Sequence, residues 1–511
     1  MVLADFISIP TVSIACLAVL GIAYHRHQSN KNTRRPPGPK GYPFIGNLLE
    51  LVSAERPHLL FPLWIKQYGD IVRFTVFGVE NILISKFSTA IELLEKRGAI
   101  YSDRPHMVLE NEILGWDAAM PTMRYGAQFR KHRKLSNALL NPNAARGYIA
   151  IHEEVSLRLL SALAAQPDQF YHHILIYATS TIFRISYDID ITDDKHDLVR
   201  LANGAVRKSA EAYQASGALV DVFPSLKWLY NSYPTTAPFS GYRKVIEDIK
   251  GEVVQANNIP YEMAKEKMRD GSATRSLVSD AITGLGGLDA ISPADEHDIR
   301  GLAGILYAGQ ETTMVTITNT ILAMIHHPEV QRKAQAEIDA VVPLDRLPTL
   351  DDRANIPYLE AFVKEAYRWA CPLIIAIPHT VIQDDVYEGY FIPKGTSIIA
   401  SIYDMLNQCP NAAAFNPDRF IDGTDLGDVP PDPRDVVFGF GRRRCPGLHV
   451  ADNSVWAALA QLLASFEFLP ELVDGKEVLP PLKWGKEMAR HPQPYRCRIV
   501  PRENRKHCYA A

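Results

Sequence analysis

The stretch FGFGRRRCPG, residues 438–447, presents a single cysteine between glycines and arginines, and the rest of the chain is interpreted around it. The glycines leave room for a flat ligand to approach the backbone. Arginines near a thiol lower its pKa, and backbone N–H groups at a helix start after Pro446 and Gly447 favour a negative sulfur. The pattern therefore indicates that Cys445 is a metal ligand or a nucleophile. The alternative is a buried free cysteine that follows a glycine-rich turn.

Composition narrows the class of protein. The chain has 511 residues, of which 47% are hydrophobic, and a formal net charge of −4. These values are ordinary for a globular protein with a large core and give no indication of nucleic-acid binding. The six cysteines form no C-x-x-C pair, which argues against a zinc ribbon or a redox dithiol. Their scatter along so long a chain is typical of a reducing compartment.

The N-terminal end of the chain predicts a membrane anchor. An apolar run over residues 6–24 is just long enough to span a bilayer core as a helix. Basic residues follow the run, and the positive-inside rule then places the main domain in the cytosol. A cleaved signal peptide is the alternative, but its charge usually precedes the apolar run. We predict an anchor with its basic flank over residues 1–30, a proline-rich hinge over residues 31–47 and one large folded domain over residues 48–511.

Strand signals are few, and helical periodicity dominates the chain. Residues 71–77 and 81–84 are rich in β-branched and aromatic side chains, with Gly78 between them, and predict two strands joined by a turn. Residues 381–390 and 396–402 predict two further strands. No glycine-rich dinucleotide fingerprint follows a strand, so the sequence indicates no built-in NADPH or flavin domain.

A long helix is predicted from Ser292 to His327. Ser292 suits the N-cap, Pro293 suits the first helical position, and Pro328 stops the pattern. Its middle contains AGQETT, residues 308–313. Glycine and threonine are poor helix formers, and threonine hydroxyls can bond back to the preceding turn and bend the helix. The stretch indicates either a functional site or a tolerated irregularity.

Two patterns of charged residues have alternative interpretations. Phe129 and Arg133 lie on a basic stretch, residues 125–134, that predicts a helix, and their spacing puts them on one face. A solvated basic face is the alternative there. Glu365 and Arg368 form E-x-x-R on a later helix, a spacing that by itself is common in surface ion pairs.

Together these motifs resemble the cytochrome P450 family. The pattern F-x-x-G-x-R-x-C-x-G over residues 438–447 is similar to the haem-binding signature of that family. The stretch AGQETT is similar to its oxygen-activation motif, and the E-x-x-R pair is similar to its structural ion pair. The chain looks most like fungal, membrane-anchored members that tailor secondary metabolites. The resemblance implies a mainly α cytochrome P450 fold with a minor β part, in a single large helix-rich catalytic domain.

The resemblance also implies which residues bind the cofactor, haem (heme b). Cys445 would be the axial ligand of the iron, and Arg443 belongs to the same signature. Arg133 and His379 would contact the haem propionates. The family places a tryptophan where this chain has Phe129, and phenylalanine has no N–H to donate.

Further roles follow from the resemblance. Glu311 and Thr312 would be the catalytic pair that delivers protons during oxygen activation. A structural network near the cysteine would join Glu365, Arg368 and Arg419. The candidate substrate pocket is mostly apolar, which suits a terpenoid and almost equally an aromatic molecule. Its residues would be Met107, Leu109, Leu114, Trp116, Met120, Leu306, Ile374, Ile375 and Met488.

The function implied is a haem-dependent monooxygenase that inserts one oxygen atom from O2 into a lipophilic small molecule. Electrons would come from NADPH through a separate flavoprotein reductase. The resemblance implies a single-pass protein of the endoplasmic reticulum membrane whose catalytic domain faces the cytosol. One alternative is a haem-thiolate isomerase or dehydratase, although such members often lack the acid and alcohol that Glu311 and Thr312 supply. The other alternative is a non-enzymatic haem-binding protein. That interpretation gives the AGQETT motif no role.

Overall fold

The computed structural model describes residues 34–54, 57–193, 195–212, 218–228, 241–421, 423, 425–485 and 488–509. The predicted anchor over residues 1–30 lies outside these ranges, as do residues 31–33 of the predicted hinge. Within the described ranges, no helix combines the length and the apolar character needed to cross a membrane.

Helices dominate the described part of the chain, as the sequence predicted. Those of eight residues or more are α1 (Pro57–Tyr68), α2 (Ala127–Leu140), α3 (Ile149–Ala165), α4 (Phe170–Tyr187), α5 (Asp197–Ala212), α6 (Gly241–Arg269), α7 (Leu277–Gly284), α8 (Pro293–Leu306), α9 (Gly309–His326), α10 (Pro328–Val341), α11 (Pro357–Trp369) and α12 (Leu448–Ser465). Shorter helical segments include Leu48–Ser53, Leu109–Ile113, Ala218–Val222, Ile402–Leu406 and Arg434–Val437.

Within the described residues, the β part is minor and falls into three small sheets. The strands are β1 (Ile71–Val76), β2 (Val79–Ile84), β3 (His379–Thr380), β4 (Asp385–Tyr387), β5 (Tyr390–Ile392), β6 (Ser397–Ala400), β7 (Phe466–Val473), β8 (Lys476–Val478) and β9 (Cys497–Pro501). The first sheet has the order β1-β2-β6-β3, in which only β2 and β6 are parallel. β4 pairs with β5, and β7 lies between β8 and β9.

The strand predictions were right at the N-terminal sheet and partly wrong later. β1 and β2 form the predicted antiparallel pair, and Gly78 turns the chain with φ of +77°. The strand predicted over residues 381–390 is wrong, because Glu388 and Gly389 adopt positive φ and fold the chain back from β4 into β5. β7, β8 and β9 were not predicted, since β7 follows α12 directly with no breaker between them.

The predicted long helix is two helices, α8 and α9. The Ser292 hydroxyl caps α8 by accepting from the Asp295 N–H, as predicted, and α9 ends before Pro328. Between them, the N–H groups of Ala308 and Gln310 donate to carbonyls three residues back. These shorter-range bonds interrupt the α-helical ladder at the threonine-rich motif, which is where the sequence predicted a bend.

α9 forms the centre of the largest core. Its C-terminal half packs with α3, α4, α11 and α12 in one cluster that includes Ile317, Ile321, Phe362, Trp456 and Leu459, all fully buried. A second cluster joins α2, α4, α6, α7 and α8. The arrangement fixes α9 on most sides, so a side chain on this helix has a defined position relative to its neighbours.

Residues 34–47 of the predicted hinge pack against the sheets. The Phe391 N–H donates to the Arg34 carbonyl and the Arg73 N–H to the Pro37 carbonyl, both at 2.8 Å. A Cβ added at Gly38 would lie 1.8 Å from the Arg73 carbonyl oxygen, so the approach requires glycine. This part of the segment therefore has a fixed course on the folded domain.

Candidate active site

The cysteine loop is closed by its own backbone. Gly439 reverses the chain with φ of +76°, and the Cys445 N–H donates to the Phe438 carbonyl at 2.7 Å. α12 begins at Leu448, and the Gly447 N–H hydrogen-bonds the Cys445 sulfur. The start of a helix therefore faces this sulfur, as the sequence predicted.

The Cys445 side chain is exposed and borders a partly open cavity. A cavity of about 100 Å³ lies between α2 and α12, and Arg133, Cys445 and His449 are among its lining residues. The surrounding protein raises the pKa of the Cys445 thiol through burial, while the Gly447 N–H and the Arg133 charge lower it. The five cysteines in the described ranges form no disulfide with one another.

Arg443 points inward with part of its guanidinium unused. Its Nε donates to the Ser102 carbonyl at 2.7 Å and its Nη1 to the Met120 carbonyl at 3.3 Å. Its Nη2 is buried and has no hydrogen-bond partner among the described residues. Burial lowers the pKa of Arg443 to about 10. The flanking arginines turn elsewhere, since Arg442 binds the Tyr125 hydroxyl and Arg444 binds Asp435.

Arg104 is a second buried arginine in the same region, and the sequence analysis missed it. It donates to the carbonyls of Pro121 (2.8 Å), Ile377 (2.6 Å) and Pro378 (2.8 Å). Burial and the nearby charge of Arg443 lower the pKa of Arg104 to about 9. We call Arg104, Arg133, His379 and Arg443 the cationic cluster.

His379 lies against these arginines. Its Nδ1 is 2.8 Å from the Tyr101 carbonyl, so Nδ1 carries the proton and donates. Burial and the charges of Arg104 and Arg443 hold the pKa of His379 well below its usual range. In neutral His379, Nε2 is therefore a hydrogen-bond acceptor. His379 can donate a hydrogen bond from Nε2 to a carboxylate only after Nε2 has taken up a second proton. An anion beside it would favour that proton.

The cationic cluster has an excess of positive charge. The carboxylate nearest in sequence, Asp103, is engaged by the Arg124 guanidinium and by the Tyr125 N–H. In the described part of the chain, the hydrogen bonds of Arg104 and Arg443 go to backbone carbonyls alone. Asp103 also attracts Arg104 and Arg443 electrostatically, but it is already paired with Arg124, so positive charge exceeds negative charge here. Burying charge with too few counter-ions is costly, so the cluster fits a ligand that carries negative charge.

The helix α2 holds the remaining member of the cluster. Arg133 donates to the Arg444 carbonyl, while Lys131 and His132 bind Asp298 of α8, so these three residues do not form a solvated basic face. Phe129 is buried, and the Arg443 guanidinium lies 3.8 Å from its ring centroid. At this position the aromatic ring supports the arginine through a cation–π contact.

The AGQETT motif is the accessible part of a largely buried helix. Residues 315–325 of α9 are fully buried, whereas Gly309, Glu311 and Thr312 are half-buried. The Thr312 hydroxyl donates to the Gly309 carbonyl at 2.9 Å. The Glu311 Oε1 lies 2.8 Å from the His491 Nε2, a partner that the sequence analysis did not foresee. The motif therefore offers a carboxyl and a hydroxyl to open space.

The predicted ion-pair network is present and buried. The Arg368 Nε and Nη2 lie 2.7 and 2.8 Å from the two Glu365 oxygens. The Arg419 Nε lies 3.3 Å from Glu365 Oε2, and the Asn416 N–H donates to Oε1 at 2.8 Å. The side chains of the three charged residues are at most 1% exposed, so the alternative of a surface pair is wrong. We call Glu365, Arg368 and Arg419 the Glu365 network.

The predicted pocket residues lie in different surroundings. Leu109, Leu114 and Trp116 are buried in a cluster with residues of α5 and α6, and Met120 packs with Phe129. Met107, Leu306, Ile374 and Ile375 are half-buried, while Met488 is 54% exposed. Glu110 lies in the same region, and no sequence motif singled it out. Burial and the nearby Asp221 raise the pKa of Glu110 to about 7.

Comparisons with known proteins agree with this architecture. A family model for cytochrome P450 matches residues 36–499. Cytochrome P450 monooxygenase claR of Ampulloclitocybe clavipes is 37% identical over 476 residues, which cover 91% of this chain and 86% of the relative. Tryptamine 4-monooxygenase of Psilocybe cyanescens is 34% identical over 504 residues, which cover 96% of this chain and 98% of the relative.

A solved structure supports the fold independently. A zebra fish cytochrome P450 with progesterone superimposes with a TM-score of 0.70 at 24% identity, covering 87% of this chain and 99% of the other. At that identity the likeness concerns the fold alone. The family model and the curated relatives, which cover nearly the whole chain, show more: this protein is a member of the cytochrome P450 family, a haem-thiolate oxidoreductase related to fungal monooxygenases.

Proposed function

We propose that this protein inserts one oxygen atom from O2 into a lipophilic small molecule, with electrons from NADPH delivered by a separate flavoprotein reductase. The observation that carries the proposal is the accessible pair Glu311 and Thr312 in the first turn of α9, a helix that is largely buried. A carboxyl and a hydroxyl on adjacent residues supply a proton donor and a proton relay. An isomerase or a haem carrier has no need of that pair.

The residues present fit a haem. Cys445 would hold the iron through its sulfur, and a thiolate-ligated haem supplies the activation of O2. Arg104, Arg443 and Arg133 would bind the propionates, because the Arg443 Nη2 lacks a partner among the described residues and the cluster lacks a carboxylate. His379 would join them once it is doubly protonated. The Gly447 N–H would stabilise the negative charge on sulfur.

Proton delivery is the task of α9. With Oε1 held by His491, the Glu311 carboxyl can carry and give up a proton at Oε2, and the Thr312 hydroxyl can accept one proton while it donates another. The Thr312 hydroxyl donates to the Gly309 carbonyl, so releasing that bond frees its proton for another acceptor. The interruption between α8 and α9 makes this possible, because the backbone there is not closed by regular helical bonds.

The proposed substrate is apolar, with a terpenoid skeleton as the first candidate. The half-buried residues Met107, Leu306, Ile374 and Ile375 offer an apolar lining. One relative is named for tryptamine as its substrate, which supports testing an aromatic amine as well. Co-expression with a reductase and a panel containing farnesene and tryptamine, followed by product analysis, distinguishes the two classes. A product that forms without O2 or NADPH would favour the isomerase alternative.

The Thr312→Val variant tests the proton relay. It keeps the β-branched shape and removes the hydroxyl, so folding and haem binding should stay near wild type. NADPH consumption should continue while product falls by about 10²-fold and peroxide rises. Thr313→Val is the matched control, since Thr313 is buried beside it. Full conversion of NADPH into product by Thr312→Val would remove Thr312 from the mechanism.

We also propose that the protein lies on the endoplasmic reticulum membrane with this domain in the cytosol. An exposed apolar surface supports the proposal. Gly46 bridges to Val76 of β1, and the ring of the adjacent Phe77 lies 5.9 Å from that of Phe223, which brings the N-terminal segment and the region after α5 together. The exposed members of this surface are Tyr42, Phe44, Leu49, Val52, Phe223 and Trp228.

Fractionation tests the membrane proposal. Deleting residues 1–30 should shift the protein toward the soluble fraction while haem binding persists, because residues 34–47 remain packed on the sheets. Phe44→Ser with Trp228→Ser should then release the fraction that stays on membranes. Complete loss of haem on deletion would show that the N-terminal residues belong to the folded core.

A further inference from the structure

The carboxyl of Glu311 is held by a histidine from the far end of the chain. The Glu311 Oε1 lies 2.8 Å from the His491 Nε2, and the two residues are 180 positions apart. Glu311 is in the first turn of α9, and His491 is in the segment between β8 and β9. The side chains are 44% and 27% exposed, so neither is locked in a closed core.

The segment that carries His491 is fixed by several hydrogen bonds. The Gly485 N–H donates to the His491 carbonyl at 2.8 Å. The neighbouring Arg490 donates to the Trp369 carbonyl at 2.6 Å, and its own carbonyl accepts from the Asn319 amide of α9 at 2.8 Å. α9 therefore contacts this segment at two residues, Asn319 and, eight residues earlier, Glu311. The two contacts fix the imidazole of His491 relative to the helix.

An unpartnered glutamate at this place would be poorly positioned. Glutamate has three rotatable side-chain bonds, and a half-exposed carboxylate gains both hydration and rotamer freedom by turning away. A charge-assisted hydrogen bond from a fixed donor limits that freedom. Proton delivery needs a geometry held to within a few tenths of an ångström, so the donor that fixes the carboxyl affects the reaction without touching the reacting atoms.

We propose that His491 is a positioning residue, which holds the Glu311 carboxyl through Oε1 where Oε2 can take up a proton from solvent and pass it toward Thr312. The inference rests on the proposed monooxygenase function and deepens it. His491 supplies an N–H at Nε2, and glutamine in its place can supply an amide N–H from a similar position. Leucine has a similar volume but no donor.

The first experiment measures whether the pair is coupled in the folded, haem-loaded protein. His491→Leu, Glu311→Gln and the double variant are compared by thermal unfolding. The loss of Tm caused by His491→Leu should be at least about twofold smaller in the Glu311→Gln background, because the shared bond is already weakened. Simple additivity of the two losses would overturn the inference, whatever the catalytic activity of the protein.

The second experiment measures the fate of electrons with the scaffold, farnesene or tryptamine, that the wild type converts. His491→Leu should lower the product formed per NADPH by about tenfold, raise peroxide and leave KM within about twofold, as for the loss of one charge-assisted bond. His491→Gln should restore at least half of the wild-type product. His326→Gln is the matched control, since the His326 Nε2 contacts the Pro480 carbonyl and, in the part of the chain that the structure describes, no carboxylate.

The outcomes separate the inference from the function it rests on. A wild type that forms no oxygen-dependent product contradicts the proposed function and, with it, a role for His491 in proton delivery. An active wild type with unchanged product per NADPH in His491→Leu overturns the inference alone and leaves the pair a structural contact. If His491→Leu loses product and His491→Gln does not recover it, the inference that an N–H donor positions the carboxyl is also overturned.

Discussion

Two groups of inward-facing arginines in this protein differ in one respect, which is direct contact with a carboxylate. In the Glu365 network, Arg368 and Arg419 share the Glu365 carboxylate, and the remaining donors bind carbonyls of the loop around residues 406–425. In the cationic cluster, Arg104 is buried and Arg443 is half-buried, yet the described residues accept their hydrogen bonds through backbone carbonyls only.

The difference separates a structural site from a binding site. A buried ion pair is destabilising when one partner is removed, because an uncompensated charge remains. The Glu365 network is complete within the chain, so its loss should appear as lost stability. The cationic cluster is complete only with an added anion, so its loss should appear as weaker binding of the haem.

The largest effect is expected from Cys445→Ser, which removes the iron ligand and leaves both arginine groups intact. The variant should completely lose the thiolate-type spectrum of the reduced carbon monoxide adduct, since serine oxygen is a different ligand. Cys497→Ser, at the start of β9, is the control and should keep the spectrum. An unchanged spectrum in Cys445→Ser would exclude Cys445 as the ligand.

Arg368→Ala should have the next largest effect. It leaves the Glu365 carboxylate buried with a weaker partner, which costs about 3–5 kcal/mol of folding free energy. Thermal unfolding measures the loss, and the haem content should fall with it. Arg207→Ala is the matched control, because Arg207 and Glu211 form an exposed ion pair at helical spacing, which contributes less than about 1 kcal/mol. Equal losses in the two variants would contradict the structural role of the Glu365 network.

A site could be predicted from the sequence when its contacts join residues that are close together in the chain. The cysteine loop closes through the bond from Cys445 to Phe438, within one short motif, and its pattern is visible in the sequence. The bend near Thr312 was predictable because threonine hydroxyls act on the preceding turn. Arg104 and His491 were missed, since their partners are 273 and 180 residues away and neither residue belongs to a local pattern.

The Glu365 network shows an intermediate case. The E-x-x-R spacing predicted that Glu365 and Arg368 would meet, and they do. Whether the pair is buried depends on the carbonyls of Leu406, Ala412 and Ala414, which come from a separate loop. Spacing along one helix therefore predicted the contact. How much the contact contributes to the free energy of folding depends on the packing of that loop.

Arg443→Met should give the smallest effect on folding and the clearest effect on binding. The variant loses two hydrogen bonds to carbonyls, at about 0.5–1.5 kcal/mol each, but it also removes a half-buried charge whose nearest carboxylate, Asp103, is already paired with Arg124. These contributions oppose each other, so the stability of the haem-free protein should change by less than about 1 kcal/mol.

Haem should transfer from the Arg443→Met variant to apomyoglobin about tenfold faster, because a charge-assisted bond to the ligand is lost. Arg444→Met is the control, since Arg444 is paired with Asp435 and should leave haem transfer unchanged. A large loss of haem-free stability with unchanged transfer would place Arg443 in the same structural class as Arg368 and remove the distinction between the two groups.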